Sequence, residues 1–381
     1  MPNQILFLLI MAIIWAALYL VSRLINLGKY GLEMEPFLLA FKTTRLNNWL
    51  DRVAKSYGRA LKLSANIGVL IAGGQAFYAV YFLSRNISYF IYQPAKAGPV
   101  IPFMPGLTVD PELLLYLLIP LMVVLLCHEV AHGVIARLED VPVKSAGVFL
   151  AFMLFGAFVE PDEEVFKKSK GASKLRVLSA GTAMNFIVAI LTFLLVTALL
   201  QGASGIVVYS VEEEGQAYAL GLRKWDLVYG VNGKETRTLS ELEDFLGTVK
   251  PGDTLNLNTS RGILALQVLD NRSLELGVTF FVQPYTPFRF IPFNHVQTVF
   301  TVSTLLIWTH ALNLGMGVLN MLPLYTLDGE GYFTTMVEMY IHDERKRKYL
   351  RTLINAFAAF LLFANIALTI IQIGYFLRMQ K

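Results

Sequence analysis

Cysteine and charge are what this chain has least of. Its one cysteine, Cys127, excludes an intrachain disulfide. Only 16% of its 381 residues are charged against 55% hydrophobic, and the mean hydropathy of +0.54 lies in membrane-protein territory. The net charge of +4 is spread beside apolar segments and forms no separate patch, so nucleic acid is not an expected partner. The first apolar run, Ile5 to Val21, has neither a positive n-region nor a small-residue cleavage site. It is therefore expected to be a retained helix and not a signal peptide. Histidine is scarce too, at five residues, which makes the placement of two of them informative.

Those two lie in Cys127-His128-Glu129-Val130-Ala131-His132, inside the apolar run Leu113 to Leu138. Histidines four apart on a helix share one face, a turn from each other, and can reach one metal ion. A glutamate directly after the first can then take a proton from an attacking water. With five histidines in 381 residues, roughly one random chain in several hundred would contain this His-Glu-x-x-His pattern. A charged group near the centre of a bilayer helix costs about 2.5–3.5 kcal/mol, so these residues read as functional. The plain alternative is a histidine pair hydrogen-bonded between packed helices. Cys127 points about 100° away from His128 and is expected to pack.

Along the chain, residues 1–62 read as an N-terminal span followed by a basic amphipathic helix on the cytoplasmic membrane surface, with Leu46, Trp49, Leu50, Val53, Tyr57 and Leu61 at helical spacing. Residues 63–200 hold three spans: Ser64 to Leu83, the His-Glu-x-x-His helix, and Leu175 to Leu200, which carries Asn185 at membrane depth. Between the last two, Gly147 to Val159 is apolar but too short to span as a helix. It reads either as a re-entrant β-hairpin or as a short buried helix. As a hairpin it could bind a substrate strand through Phe155, Gly156 and Phe158. Residues 201–276 regain charge, alternation and the turn signals Asn232-Gly233, Pro251-Gly252-Asp253 and Arg261-Gly262, so a small αβ domain is expected there. An aromatic, proline-rich connector over Phe280 to Phe293 follows. Residues 277–381 close the membrane core with two more spans, the first broken at Pro323. The predicted class is a polytopic α-helical membrane protein of about six spans with a re-entrant hairpin and one small αβ domain. Loop charges place the N-terminus and that domain outside and the histidines in the cytoplasmic half.

A catalytic zinc needs three protein ligands and an open position. Asp328 stands out as the third, a carboxylate just beyond the broken span and otherwise hard to rationalise at that depth. His310, alone in mid-span, is expected to pack.

Three motifs together resemble the site-2 protease family of intramembrane zinc metalloproteases: His128-Glu-Val-Ala-His132, Gly181 to Asn185, and Asn320-Met-Leu-Pro323-Leu-Tyr-Thr-Leu-Asp328-Gly329. The stretch Ala219 to Gly233 with Pro251-Gly-Asp253 is similar to a PDZ domain. The family often has proline where this chain has Thr182. The resemblance implies one zinc per chain on His128, His132 and Asp328, with Glu129 as general base. It also implies that Asn185 helps hold the oxyanion and that Asn320 binds substrate backbone. The expected partners are the lipid bilayer and a transmembrane protein or peptide substrate already trimmed by another protease, in a prokaryotic plasma membrane. Two rivals are a membrane metal transporter and a catalytically silent PDZ-bearing scaffold. A transporter needs no glutamate between the histidines, and a scaffold needs none of the catalytic residues.

Overall fold

Within a bilayer an apolar run must close its own backbone hydrogen bonds, which drives long runs to helix. The computed structural model describes residues 2–25, 29, 31–101, 111–151, 154–250, 252–268, 278–290 and 295–379. Among these, five helices are long and apolar enough to cross a membrane. The sixth expected span, α1 (Pro2–Leu24), has a shorter described apolar stretch, Leu9–Leu24. The chain divides into two compact units, Met1–Ala189 with Ala311–Lys381, and Ile190–His310.

In the first unit α1 is followed by two short strands, β1 (Leu32–Glu35) and β2 (Leu38–Thr43), then α2 (Asn47–Ser56) and α3 (Gly58–Tyr92). The basic segment is therefore not the continuous surface helix expected from its charges. Leu32-Glu33-Met34-Glu35 alternates with the period of a strand, and Phe37, in the turn between the strands, takes a positive φ of 63°. Helical spacing holds only from Leu46 onward. There the apolar face, Leu50 with Leu46 and Val53, packs against α4 (Pro111–Leu138) instead of lying on lipid. α3 buries Ala65, Ala72, Ala76 and Ala79 at helical spacing, small residues that let neighbouring helices approach closely.

After α4 the segment left open between helix and hairpin forms strands: β3 (Val143–Ala151) and β4 (Leu154–Pro161), with residues 152–153 between them outside the described set. The four strands make one antiparallel sheet in the order β1-β2-β3-β4. One side of β3 is taken by β2, which leaves β4 at the edge. Phe149 pairs with Gly156 and Phe158 with Gly147 across the strands, so each glycine is covered by a ring of its own sheet. The short helix α5 (Glu163–Lys168) is capped by Asp162, whose carboxylate accepts from the N–H groups of Glu164 and Val165. α6 (Gly171–Leu199) follows.

Glu139, just past the end of α4, gathers Lys62 from α3 and Arg176 from α6. Burial pushes its carboxyl up, but hydrogen bonds from Lys62 and Ser173 and the charge of Arg176 hold it below the usual carboxylate range. Three helices around the histidines are thereby tied at one end.

The second unit contains β5 (Gly205–Val211), α7 (Gln216–Ala219), β6 (Leu227–Val231), β7 (Lys234–Glu235), α8 (Leu239–Leu246), β8 (Thr254–Thr259), β9 (Gly262–Gln267) and β10 (Val278–Tyr285). The sheet order is β10-β5-β6-β8-β9, with β7 on β6, around Ile206, Val208, Leu222, Val228, Leu255 and Leu257. Asn232 and Gly233 both take positive φ, 50° and 79°, as the Asn-Gly hairpin signal requires. The domain does not end at 276. β10 pairs with β5 inside the stretch expected to be a connector. Its Phe280 packs on the core and its Phe281 stacks on Trp225, so these aromatics serve the fold and not an interface. Pro251, part of the expected turn, and Phe293 lie outside the described residues. α9 (Val296–Leu319) leads back to the first unit, which α10 (Asp328–Tyr340) and α11 (Glu344–Met379) complete.

Candidate active site

α4 presents His128 and His132 one turn apart, and Asp328 is the first residue of α10. The helix break between α9 and α10 brings that carboxylate to the imidazoles. Asp328 Oδ2 lies 3.1 Å from His128 Nε2 and 3.2 Å from His132 Nε2, and the two Nε2 atoms are 3.1 Å apart. Among the described residues, no other histidine, cysteine or carboxylate cluster is placed to hold a metal. A tetrahedral ion with bonds of about 2.0–2.1 Å needs its ligand atoms about 3.3–3.4 Å apart. The three donors form nearly that triangle, and two nitrogens with one carboxylate are a donor set that suits zinc. The residues therefore fit the metal. Cys127 is not among them, and the ring of His310 sits 5.5 Å from that of Phe193.

α6 packs directly against the histidines. A Cβ on Gly181 would come within 2.4 Å of His132 Nε2 and 2.6 Å of His128 Nε2, so only glycine lets this backbone approach. One turn to each side, α6 reaches the far nitrogens. Val177 O is 2.7 Å from His132 Nδ1, and the Asn185 amide is 3.2 Å from His128 Nδ1. Asn185 is fully buried on the Nδ1 side of the ring, whereas Asp328 meets the Nε2 side. Its amide thus touches His128 at the nitrogen opposite the one that faces Asp328. Asn320 is the amide on the Nε2 side, 3.4 Å from His128 Nε2 and half-buried.

Glu129 points elsewhere than the two histidines. Its Oε2 accepts the backbone N–H of Val159 on β4 at 2.9 Å. It lines two cavities at once. One, of about 1210 Å³, runs beside the sheet past Phe41, Leu126, Val148 and Phe158. The other, of about 280 Å³, is lined by His132, Asp328, Val159 and Phe166. Of the three hairpin residues expected to meet substrate, Phe158 lines the larger cavity and also covers Gly147. Gly156 is buried, and a Cβ there would strike the Phe149 ring at 2.1 Å, so its space serves the sheet and not an incoming backbone. Phe155 is half-buried on the edge strand.

Metal-competent donors, a carboxylate beside them and bilayer-length helices around them make a family comparison decisive. The model of Peptidase family M50 matches residues 116–364, well over half of the chain. The chain belongs to peptidase family M50. This M50 peptidase is 25% identical over 360 residues to an uncharacterised protein of Methanocaldococcus jannaschii, covering 90% of this chain and 88% of that one. It is 22% identical over 329 residues to a Clostridium perfringens protein whose name alone assigns it to the zinc metalloproteases, covering 68% and 97% respectively. The resemblance to site-2 proteases drawn from three motifs is thus borne out. The M50 peptidase is a multi-pass membrane metallopeptidase.

Three contributors escaped the sequence reading. Val177 and Val159 act through backbone atoms, which no side-chain pattern announces. Gly181 was readable as a close-packing glycine, but only the fold shows that the close neighbours are the histidines.

Proposed function

We propose that this chain is a zinc-dependent intramembrane endopeptidase that cuts peptide bonds within or beside transmembrane segments of other proteins. One observation carries the reading: the carboxylate of Glu129 joins the metal-competent cluster to the open edge of β4 through the Val159 N–H. An extended peptide added to that edge would lie where the base can act on it. Bound zinc would supply Lewis-acid polarisation of a scissile carbonyl and activate water. Glu129 takes the proton of the attacking water and delivers it to the leaving amine. In this reading Asn320, 3.4 Å from His128 Nε2, binds the substrate's backbone. Loop charges favour a prokaryotic plasma membrane with the site opening to the cytoplasmic side.

Asp328→Ala tests the metal assignment. The purified variant is expected to lose both zinc and cleavage of a transmembrane substrate, read by elemental analysis and by fragment appearance in proteoliposomes. Full zinc occupancy in that variant would remove Asp328 from the ligand set.

The inserted αβ domain is proposed to be a PDZ-like filter on substrates, outside the chemistry. β10 is an edge strand with α8 beside it, an arrangement suited to adding a peptide strand. Replacing residues 204–286 by a short linker, a deletion that takes β10 with the rest of its sheet, is expected to preserve cleavage of a short model substrate. Cleavage of full-length substrates bearing large soluble domains should rise. Loss of short-substrate cleavage with zinc retained would give the domain a direct part in catalysis.

A further inference from the structure

A histidine that gives Nε2 to a metal must carry its hydrogen on Nδ1, and that N–H needs an acceptor. His132 has one in Val177 O, at 2.7 Å. His128 Nδ1 instead faces the Nδ2 of Asn185 at 3.2 Å, which would set one donor against another. The remaining atom of that amide, Oδ1, is buried without a hydrogen-bond partner on a residue with no exposure. An acceptor left without a partner at full burial is destabilising. Turning the amide over removes both faults at once, because oxygen and nitrogen of an asparagine are interchangeable in shape. Oδ1 then accepts from His128 Nδ1–H. Nearby is a second buried acceptor without a partner, Gln75 Oε1. The two side chains are neighbours there: a Cβ on Gly317 would meet Gln75 Nε2 at 2.6 Å and Asn185 Cβ at 3.6 Å.

We infer that Asn185 is a positioning residue: its carbonyl oxygen fixes His128 as the Nδ1–H tautomer with Nε2 free for zinc, as the Val177 carbonyl does for His132. α6 thereby sets both ligands, and the spacing of Gly181 and Asn185 has one purpose, close approach at the first and an acceptor at the second. The inference rests on the zinc reading above.

The test is metal binding, independent of proteolysis. Wild type, Asn185→Leu and Asn185→Asp are purified in detergent and stripped of metal, and the thermal unfolding of the apo-proteins is recorded as a folding control. Zinc affinity is measured by chelator competition, and the visible absorption of the cobalt-loaded forms reports ligand geometry. Leucine keeps the branched shape, though it is larger, and offers no acceptor. It is expected to weaken zinc binding about 10–100-fold and to change the cobalt spectrum. Aspartate offers an acceptor and is expected to hold zinc within a few-fold of wild type with a wild-type spectrum. Leucine binding zinc like wild type would overturn the inference. So would aspartate losing zinc as leucine does while its apo form unfolds like wild type. If the aspartate apo form unfolds early, Asn185→Ser decides: zinc binding stronger than in the leucine variant supports the acceptor role, and equal weakness overturns it. Wild type that takes up no zinc would overturn the function reading, and this one with it.

Discussion

Glu129→Gln is expected to abolish proteolysis while leaving the metal in place. Glutamine keeps the size and the hydrogen-bonding reach of the side chain, and its Oε1 can still accept the Val159 N–H that Glu129 holds. It cannot take a proton from water. None of the three donors, His128, His132 and Asp328, is altered. A positioned general base is worth about 10²–10⁴-fold. The turnover of a transmembrane substrate in proteoliposomes should fall by that much, with zinc near one per chain by elemental analysis. The same variant separates peptidase from transporter. A site that only binds and releases ions would continue to move zinc across the vesicle wall. Turnover within tenfold of wild type would take Glu129 out of the chemistry.

Phe155→Pro is expected to produce the second-largest loss, through the strand edge. A helical substrate has every carbonyl bonded within itself, so attack requires local unwinding, and each backbone group left without a partner in lipid costs several kcal/mol. No described strand pairs with the outer side of β4, and its backbone groups beyond Val159 could replace those partners. Because Val159 directs its N–H away from β3 to Glu129, the alternation of an antiparallel ladder sends the N–H of Ala157 and Phe155 the same way. Proline at 155 therefore removes a donor from the open edge without removing one from the β3–β4 ladder. Losing one such bond, with its partner left unsatisfied, corresponds to about 10–100-fold in cleavage of stable helices. Zinc content should not change. Substrates carrying Gly, Pro or Asn near the cut unwind more easily and should lose less. Equal, wild-type rates for stable and weakened helices would show that β4 does not receive the substrate.

How much of this could be read from the chain depends on whether side chains or backbone carry the information. His128 and His132 are legible because a spacing of four fixes them on one helical face, and Glu129 because it directly follows the first of them. Asp328 is legible because a carboxylate beside an apolar, proline-broken helix demands a reason. β1 and β2 are too short for alternation to outweigh the nearby basic residues, although Leu32 to Glu35 does alternate. β10 is hidden by its composition: Phe280, Phe281 and Pro284 suit an interfacial connector as well as an edge strand. The side of His128 that Asn185 would meet could not be known before α6 was placed, so a polar residue in a span was readable and its contact with the ligand was not. Gly156 shows the same limit, since only the register with Phe149 reveals what fills the space above it.

Assembly from distant segments also gives the site a place in time. His132 and Asp328 are 196 residues apart, with an entire folded domain between them. At a synthesis rate of about 5–20 residues per second, roughly 10–40 s separate the appearance of the histidine pair from that of the aspartate. During that interval the nascent chain already carries its general base and its edge strand but holds only two of the three metal donors. On the zinc-endopeptidase reading proposed above, hydrolytic competence would arrive late in synthesis, after α6 and the inserted domain have been made, and the growing chain would not cut membrane helices, its own included, before Asp328 is in place.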